Sequence, residues 1–186
     1  MIDYNIIDNS TKYYKKFGFE RIESPWTVSP YIDNLTKPED RPHLQLKHND
    51  KCLVASGEQS FLYLYLKGFI PKGKFQTVTP CFRFETFDDI HTKYFIKNEL
   101  IVTDKVDNSM LNEVIDTAYN FFSNYLDKEH LKIVEVNDFQ KDIEYKGIEL
   151  GSYGIRSCDF LDWIYGTGCA EPRLSTILDK INRGII

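Results

Sequence analysis

Two stretches near the middle of the chain, KFQTVTPCFRFE at 74–85 and TKYFIKNELIVTD at 92–104, constrain the fold most. Both are rich in the β-branched and aromatic residues that favour strands. The six residues TFDDIH between them are too few for a parallel crossover, so the two strands must be antiparallel neighbours. Arg83 and Glu85 lie on one face of the first strand, where they form either a surface ion pair or the floor of a site for a charged ligand.

The rest of the chain mixes helices and strands without regular alternation. Periodic apolar residues predict helices at 3–17, 57–68, 110–126 and 172–184. Further strands are predicted at 19–28, 51–56, 131–136 and 147–163, and the proline-containing stretch 29–50 is predicted to be irregular. This order predicts an α+β fold in which a mainly antiparallel sheet is flanked by helices. We expect a single domain over residues 1–186.

Composition narrows the class of protein. The 186 residues, 42% of them hydrophobic, suffice for one buried core. The net charge of −5 argues against a broad polyanion-binding surface, so a nucleic-acid partner would need a local basic patch. The N-terminus does not read as a signal peptide, no apolar run approaches the roughly 20 residues that span a bilayer, and the four cysteines form no C-x-x-C pair. We therefore expect a cytoplasmic protein without a membrane partner.

Three segments together carry a family resemblance. They are GFERIESPWTV at 18–28, the stretch from Phe82 to Glu99 with FRFE and HTKYFIKNE, and GTGCAEPR at 166–173. In order and spacing they resemble the three signature motifs of class II aminoacyl-tRNA synthetases, closest in character to the seryl and lysyl enzymes. SGEQ at 56–59 and ELGS at 149–152 agree with that resemblance. Each segment is weakly specific by itself, and their ordered combination is much more so.

The resemblance implies an ATP site. Activation of a carboxylate by ATP builds extra negative charge on the α-phosphate, which suits a forked guanidinium that is always charged. By resemblance Arg83 would contact the α-phosphate, Arg173 would reach the γ-phosphate and cover one face of adenine, and Phe95 would stack on the other face. The remaining nucleotide-binding residues that the resemblance implies are Glu85, His91, Gly166 and Gly168.

The resemblance also implies Mg²⁺ and a pocket for the acid. Mg²⁺ prefers oxygen ligands, and the residues implied for it are Glu149, Ser152 and Glu99. Glu58 and Asp159 would belong to the pocket that holds the amino acid or small carboxylate. No covalent nucleophile is expected, because this chemistry depends on positioning and electrostatics.

Several of these residues also have a purely structural interpretation. His91 in a turn is typical of a structural or exposed residue, Phe95 alone would be a core residue, and the two glycines could serve close strand packing. A zinc site from Cys52, Glu99 and Cys169 is the less favoured metal alternative, because the spacing of Cys169 does not clearly fit.

Arg173 favours the interpretation as a site. A cation at the start of a helix opposes the helix dipole unless an anion binds there. Pro172 before it departs from the family pattern and could move the arginine.

The leading functional hypothesis is an ATP-dependent ligase that forms an acyl-adenylate and transfers the acyl group to an acceptor. Too few residues flank the motifs for a tRNA-binding domain, so a carrier protein or a small molecule is favoured over tRNA as acceptor. One alternative is a non-catalytic relative that regulates or dimerises with a partner. Another is a minimal aminoacyl-tRNA synthetase that works with a separate tRNA-binding protein. The first motif further implies a homodimer through Gly18–Pro25.

Overall fold

The computed structural model of the protein describes residues 1–38, 42, 44–83 and 94–186. The strands are β1 (Glu20–Arg21), β2 (Thr27–Val28), β3 (Cys52–Leu53), β4 (Lys74–Phe82), β5 (Tyr94–Val102), β6 (Leu131–Asn137), β7 (Gln140–Tyr145), β8 (Ile148–Cys158) and β9 (Leu161–Glu171). The helices are α1 (Tyr4–Lys15), α2 (Pro30–Asn34), α3 (Gly57–Leu66), α4 (Asn108–Phe122) and α5 (Arg173–Asn182). In this part of the chain no helix combines the length and apolar character needed to cross a bilayer.

Seven strands form one sheet in the order β1-β4-β5-β9-β8-β7-β6. Neighbouring strands are antiparallel throughout, except that β1 runs parallel to β4. Strands β2 and β3 form a separate antiparallel pair. The predicted α+β fold, a mainly antiparallel sheet flanked by helices, is therefore confirmed.

The two faces of the sheet carry different helices. Helices α1, α4 and α5 cover one face and share a core with it, in which the Tyr14 hydroxyl donates a 2.9 Å hydrogen bond to the carbonyl of Gly168. Helices α2 and α3 pack on the opposite face around Ile32, Phe61 and Trp163. Because α2 and α3 are short, they leave part of this second face uncovered, and the cleft described below lies there.

Helix α3 starts unusually close to the sheet. Ser56 caps it by accepting a 3.3 Å hydrogen bond from the backbone N–H of Glu58. A Cβ on Gly57 would lie 3.0 Å from the side chains of both Glu99 and Thr77, so only glycine fits this approach without displacing its neighbours. The glycine therefore lets the first turn of α3 place Ser56 and Glu58 against strands β4 and β5.

Local sequence signals explain most of the elements, but not α2, β7 or the extent of β9, and the strand predicted at 19–28 is divided into β1 and β2 of different sheets. The predicted hairpin is present as β4 and β5, whose register pairs Cys81 with Phe95. The stretch 29–50 contains the short helix α2, which begins with Pro30 after the capping residue Ser29. The sequence gives no clear signal for strand β7, because QKDIEY is mostly polar. The segment is a strand within the sheet, where it pairs with β6 on one side and β8 on the other.

Candidate functional site

A cleft of about 310 Å³ lies on the face of the sheet that carries α2 and α3. Its basic lining side chains are Lys37, Arg83, Lys97, Arg156 and Arg173, and its acidic ones are Asp33, Glu58 and Glu149. Five basic and three acidic groups leave an excess of positive charge there, although the whole chain has a net charge of −5. Among the described residues the lining is therefore suited to an anionic ligand.

Arg83 and Phe95 lie together at one end of the cleft. Arg83 directly follows β4, and its Nε donates a 3.2 Å hydrogen bond to the backbone carbonyl of Ala55. Its guanidinium carbon lies 5.0 Å from the centroid of the Phe95 ring, within the range of a cation–π contact. Both residues line the cleft, so the structure brings together the guanidinium and the aromatic ring that the hairpin sequence singled out.

Glu85 and His91, the other two candidates in the hairpin, lie outside the described residues. The whole TFDDIH turn also lies outside the described residues.

Arg173 and Glu149 form a second charged group in the cleft. Helix α5 begins at Arg173, whose Nη1 donates a 2.7 Å hydrogen bond to Glu149 Oε1. The arginine side chain is 16% exposed and the glutamate side chain 47%, so the carboxylate is the more accessible partner. The residue before the helix, Pro172, provides no side-chain cap, and Glu171 Oε1 instead accepts a 3.0 Å hydrogen bond from the backbone N–H of Ser175 in the first turn.

Ser152 lies near this pair and connects it to a carboxylate that the sequence did not single out. Gln140 Nε2 donates to Ser152 Oγ at 3.1 Å and to Asp142 Oδ1 at 3.4 Å. Burial, and then the charge of Glu149, raise the pKa of Asp142, while the hydrogen bond with Ser152 lowers it in part. Glu149, Ser152 and Asp142 thus place several oxygen donors beside Arg173, a donor set of the kind that Mg²⁺ prefers.

Glu99 is fully buried beneath the cleft and does not line it. Ser56 Oγ donates to Glu99 Oε2, and Lys97 Nζ lies 2.8 Å from Oε1. Oε1 nevertheless has no well-directed hydrogen bond within the described chain, so Lys97 acts on it mainly as a nearby charge. The arrangement makes Glu99 an anchor for Lys97 and α3; its predicted role as an Mg²⁺ ligand remains untested.

Glu58 and Arg156 meet at the other end of the cleft. Arg156 Nη1 lies 2.6 Å from Glu58 Oε2, and the indole Nε1 of Trp163 donates a 2.6 Å hydrogen bond to Oε1. The Arg156 guanidinium carbon lies 4.2 Å from the centroid of the Tyr165 ring. Burial raises the pKa of Glu58, and Arg156 counters this shift.

Arg156 is not among the residues that the sequence singles out, although a local signal is present. Residues two apart on a strand share a face, so Arg156 lies on the same side of β8 as Ser152, four residues earlier. Its partner Glu58, in contrast, is 98 residues away along the chain, and nothing local predicts that contact.

The remaining candidates, Gly166, Gly168 and Asp159, do not direct a side chain, or a Cβ added to the glycine, into the cleft. A Cβ on Gly166 would point at Tyr153, and one on Gly168 would lie 2.9 Å from Tyr14, on the face covered by α1 and α4. Asp159 is exposed in the turn between β8 and β9 and does not line the cleft. The two glycines therefore have a packing role, and any contact they make with a nucleotide would involve backbone atoms.

The proposed zinc ligands do not form a cluster. Cys169 is buried on the face covered by α1, and burial, followed by Glu171, raises its pKa well above the usual value. A zinc ligand must be a thiolate, which this environment opposes. Within the described chain, Asp127, Glu129 and His130 are spaced closely enough to hold a metal ion. They lie outside the cleft.

Comparison with known proteins places this geometry in a structural context. No protein-family model matches the sequence, and no curated protein sequence matches it significantly. A pyrrolysyl-tRNA synthetase from Desulfitobacterium hafniense matches in structure with a TM-score of 0.76 and 15% identity, over 95% of this chain and 66% of that chain. The chain thus spans just under two-thirds of that protein.

Two seryl enzymes give the same result. Seryl-tRNA synthetase from Pyrococcus horikoshii, complexed with ATP, matches with a TM-score of 0.75 and 15% identity over 95% of this chain and 49% of that chain. Cytoplasmic serine-tRNA ligase from Naegleria fowleri, in complex with AMP, matches with a TM-score of 0.70 and 17% identity over 92% and 46%. At these identities the similarity concerns the fold. The chain therefore has the fold of a class II aminoacyl-tRNA synthetase catalytic core.

Proposed function

We propose that the protein uses ATP to adenylate an amino acid or a related carboxylic acid. The observation that carries this proposal is that Arg83 with Phe95 and Arg173 with Glu149 line one cleft. Phe95 provides a ring that can stack on a base, and Arg83 and Arg173 provide two guanidiniums that can hold phosphates. Solved structures of the same fold with ATP and with AMP support it by analogy.

In the proposed reaction a carboxylate oxygen of the acid attacks the α-phosphorus of ATP. The bond from that phosphorus to the bridging oxygen of pyrophosphate breaks, which yields an acyl-adenylate and pyrophosphate. The acid is already ionised near neutral pH, so the step needs no general base. Arg83 would balance the charge that develops at the α-phosphate, and Arg173 the charge of the departing phosphates.

The residues around Arg173 fit a magnesium ion that accompanies ATP. Glu149 and Ser152 would hold it, with Asp142 behind Ser152 as a further oxygen donor. When bound, the ion would neutralise phosphate charge. Before ATP binds, the pairing with Arg173 would hold the Glu149 carboxylate in place. Once ATP is bound, the Arg173 guanidinium would turn to the phosphates.

The acceptor of the acyl group is proposed to be a carrier protein or a small molecule. Transfer to tRNA is the second candidate, because the similar structures are of tRNA synthetases. A non-catalytic role remains the alternative to both, motivated by Pro172 directly before Arg173.

Pyrophosphate exchange into ATP, measured with the twenty amino acids and a set of simple carboxylic acids, tests the adenylation step. We expect exchange with at least one acid, and Arg83→Ala should lower its kcat/KM by about 100-fold or more, the loss seen when one donor to developing charge is removed. Arg183→Ala is the matched control, because Arg183 is exposed, pairs with Asp179 and does not line the cleft.

The outcomes separate the alternatives. ATP binding without exchange for any acid would favour the non-catalytic role, and no ATP binding at all would refute the proposal. If exchange occurs, charging of total tRNA with and without cell extract distinguishes tRNA from the other acceptors.

A further inference from the structure

The end of the cleft opposite Phe95 carries an arginine whose binding capacity is only partly used. Arg156 lies on the floor of the cleft, stacked 4.2 Å from the Tyr165 ring centroid. Of its five N–H donors, only those on Nη1 have a hydrogen-bond partner within the described chain, namely Glu58. Its Nε and Nη2 edge has the geometry that binds a carboxylate through two parallel hydrogen bonds.

Pairing with Glu58 alone does not account for this arrangement. The Glu58 side chain is 5% exposed and already accepts a hydrogen bond from Trp163, whereas the Arg156 side chain is 37% exposed. The guanidinium uses only Nη1 for the buried carboxylate, and the residue lines the cleft. The Tyr165 ring and Glu58 fix the guanidinium on the cleft surface, as a preorganised anion receptor requires.

The position of Arg156 matches the distal part of an acid whose carboxyl group is activated near Arg83. Ala170 and Tyr165 both line the cleft from β9, five residues apart, which corresponds to about 15 Å along a strand. Ala170 pairs with Lys97 of β5 and lies towards Phe95 and Arg173. Tyr165 lies beneath Arg156. One cleft therefore joins the end that carries Arg83 and Arg173 to the end that carries Arg156.

Glu58 is poorly placed to receive an amine from the substrate. Both of its carboxylate oxygens already have protein partners, and the residue is 3% exposed. An amine could reach it only by displacing Arg156. We assign Glu58 as a positioning residue that orients Arg156 rather than as a direct contact of the substrate.

We propose that Arg156 binds a second anionic group on the activated acid, so that the substrate is a dicarboxylic acid or an acidic amino acid. This inference rests on the proposed adenylation function for the identity of the other carboxyl group. The excess of basic over acidic side chains in the cleft agrees with a ligand pair, ATP and an acid, that is anionic at both ends.

Isothermal titration calorimetry on the full chain, with Mg²⁺ and a non-hydrolysable ATP analogue present, tests the inference directly. The probes are L-aspartate, L-glutamate, succinate and glutarate, compared with L-asparagine, L-glutamine, butyrate and L-lysine. We expect at least one of the four anionic-tail probes to bind at least tenfold more tightly than its neutral counterpart.

The variant pair Glu58→Gln and Glu58→Gln/Arg156→Gln isolates the arginine. Both variants lack the buried carboxylate, so neither leaves an unpaired charge at the buried position 58; in the single variant Arg156 keeps its charge on the cleft surface, where its side chain is 37% exposed. The two variants differ only at position 156. The preference for the anionic tail should persist in the single variant and disappear in the double variant.

Binding and turnover distinguish the failure of this inference from the failure of the proposed function. Equal or tighter binding of neutral or cationic probes, no binding of any probe, or a preference that survives loss of Arg156 would overturn the inference. Adenylation of a neutral or basic acid would do the same while it supports the proposed function. Selective binding of acidic probes without pyrophosphate exchange would support the inference and refute the function.

Discussion

The guanidinium of Arg83 lies over the ring of Phe95, with 5.0 Å between the guanidinium carbon and the ring centroid. The two residues come from the two strands of the β4–β5 hairpin, where Phe95 pairs with Cys81 two residues before Arg83. A cation thus covers the ring that is proposed to stack on adenine. A nucleotide whose base stacks on Phe95 would either share the ring with Arg83 or displace the Arg83 guanidinium towards the phosphates. Base stacking would thus be coupled to phosphate binding.

Replacement of Phe95 by alanine should weaken ATP binding. Loss of a base–aromatic stack costs about 1–3 kcal/mol, which corresponds to a roughly 5- to 150-fold higher Kd. Phe95→Tyr retains a ring and should bind ATP nearly as well as the native protein. Calorimetry with Mg·ATP measures both. Phe139→Ala is the control, since Phe139 is 66% exposed and does not line the cleft. An unchanged Kd for Phe95→Ala would place adenine elsewhere.

Removal of the Glu149 carboxylate should raise the magnesium requirement of ATP binding. We expect Glu149→Ala to need at least about 10-fold more Mg²⁺ for half-maximal binding, the lower end of what loss of a supporting group costs a metal site. Ser152→Ala should have a smaller effect, since a hydroxyl is a weaker ligand than a carboxylate. ATP titrations at a series of Mg²⁺ concentrations measure this requirement.

The control for the magnesium titration is Glu135→Ala. Glu135 is also an exposed glutamate in an ion pair, with Lys141, but it does not line the cleft. If the Glu135 and Glu149 variants shift the magnesium requirement equally, the effect is one of overall charge and the assignment of Glu149 is wrong.

The sequence predicts the parts of this site that depend on local pattern. Alternation and a short turn identify the β4–β5 hairpin and place Arg83 and Phe95 on it. The sequence does not reveal where the alternation of inward and outward side chains along a strand is interrupted. The register shift between Asn98 and Glu99 leaves Gly168 opposite no residue of β5, so Thr167 faces the cleft and Cys169 the helices. Strict alternation would have put Thr167 and Cys169 on one face.

The contact between Glu58 and Arg156 should make stability depend on pH when the arginine is lost. In Arg156→Met the carboxylate keeps its burial, which raises its pKa, but loses the guanidinium that counters this shift. Breaking a buried pair costs about 3–5 kcal/mol, and we expect about 2 kcal/mol at pH 7.5 because Arg156 is partly exposed to solvent.

The sign of this pH effect follows from proton binding. A carboxyl group whose pKa is raised by folding binds more protons in the native state than in the unfolded state, so its contribution to stability falls as pH rises. The difference between native protein and Arg156→Met should therefore be smaller at pH 4.5 than at pH 7.5, because the raised pKa of Glu58 in the variant favours the protonated carboxyl at the lower pH. Urea unfolding at the two pH values measures it. A loss that is the same at both, or one that Glu58→Gln/Arg156→Met fails to relieve, would contradict the argument.

Gly168→Ala should lower stability through packing. The new Cβ would lie 2.9 Å from the Tyr14 ring and 3.0 Å from the backbone oxygen of Asn98, and the backbone atom has little freedom to move. Overpacking of this kind costs about 1–3 kcal/mol in the free energy of unfolding, which denaturant titration measures. ATP affinity of the folded variant distinguishes packing from nucleotide binding. A large loss of affinity without loss of stability would support the nucleotide-binding role predicted from the glycine-rich segment.

The segment Gly18–Pro25 should lie at the interface of a homodimer. The carbonyl of Pro25 accepts a 2.6 Å hydrogen bond from Ser60, which ties the segment to α3, and the next residue, Trp26, is 59% exposed. An exposed aromatic residue on a fixed segment is typical of an interface, where burial of such a ring contributes most to affinity. Light scattering should give twice the mass of the chain at micromolar concentration, and Trp26→Glu should shift it towards the monomer, because a carboxylate would be desolvated at the interface. Tyr94→Glu, also at an exposed aromatic position but on β5, serves as the control. A native protein that stays monomeric, or a dimer indifferent to Trp26→Glu, would remove this segment from the interface.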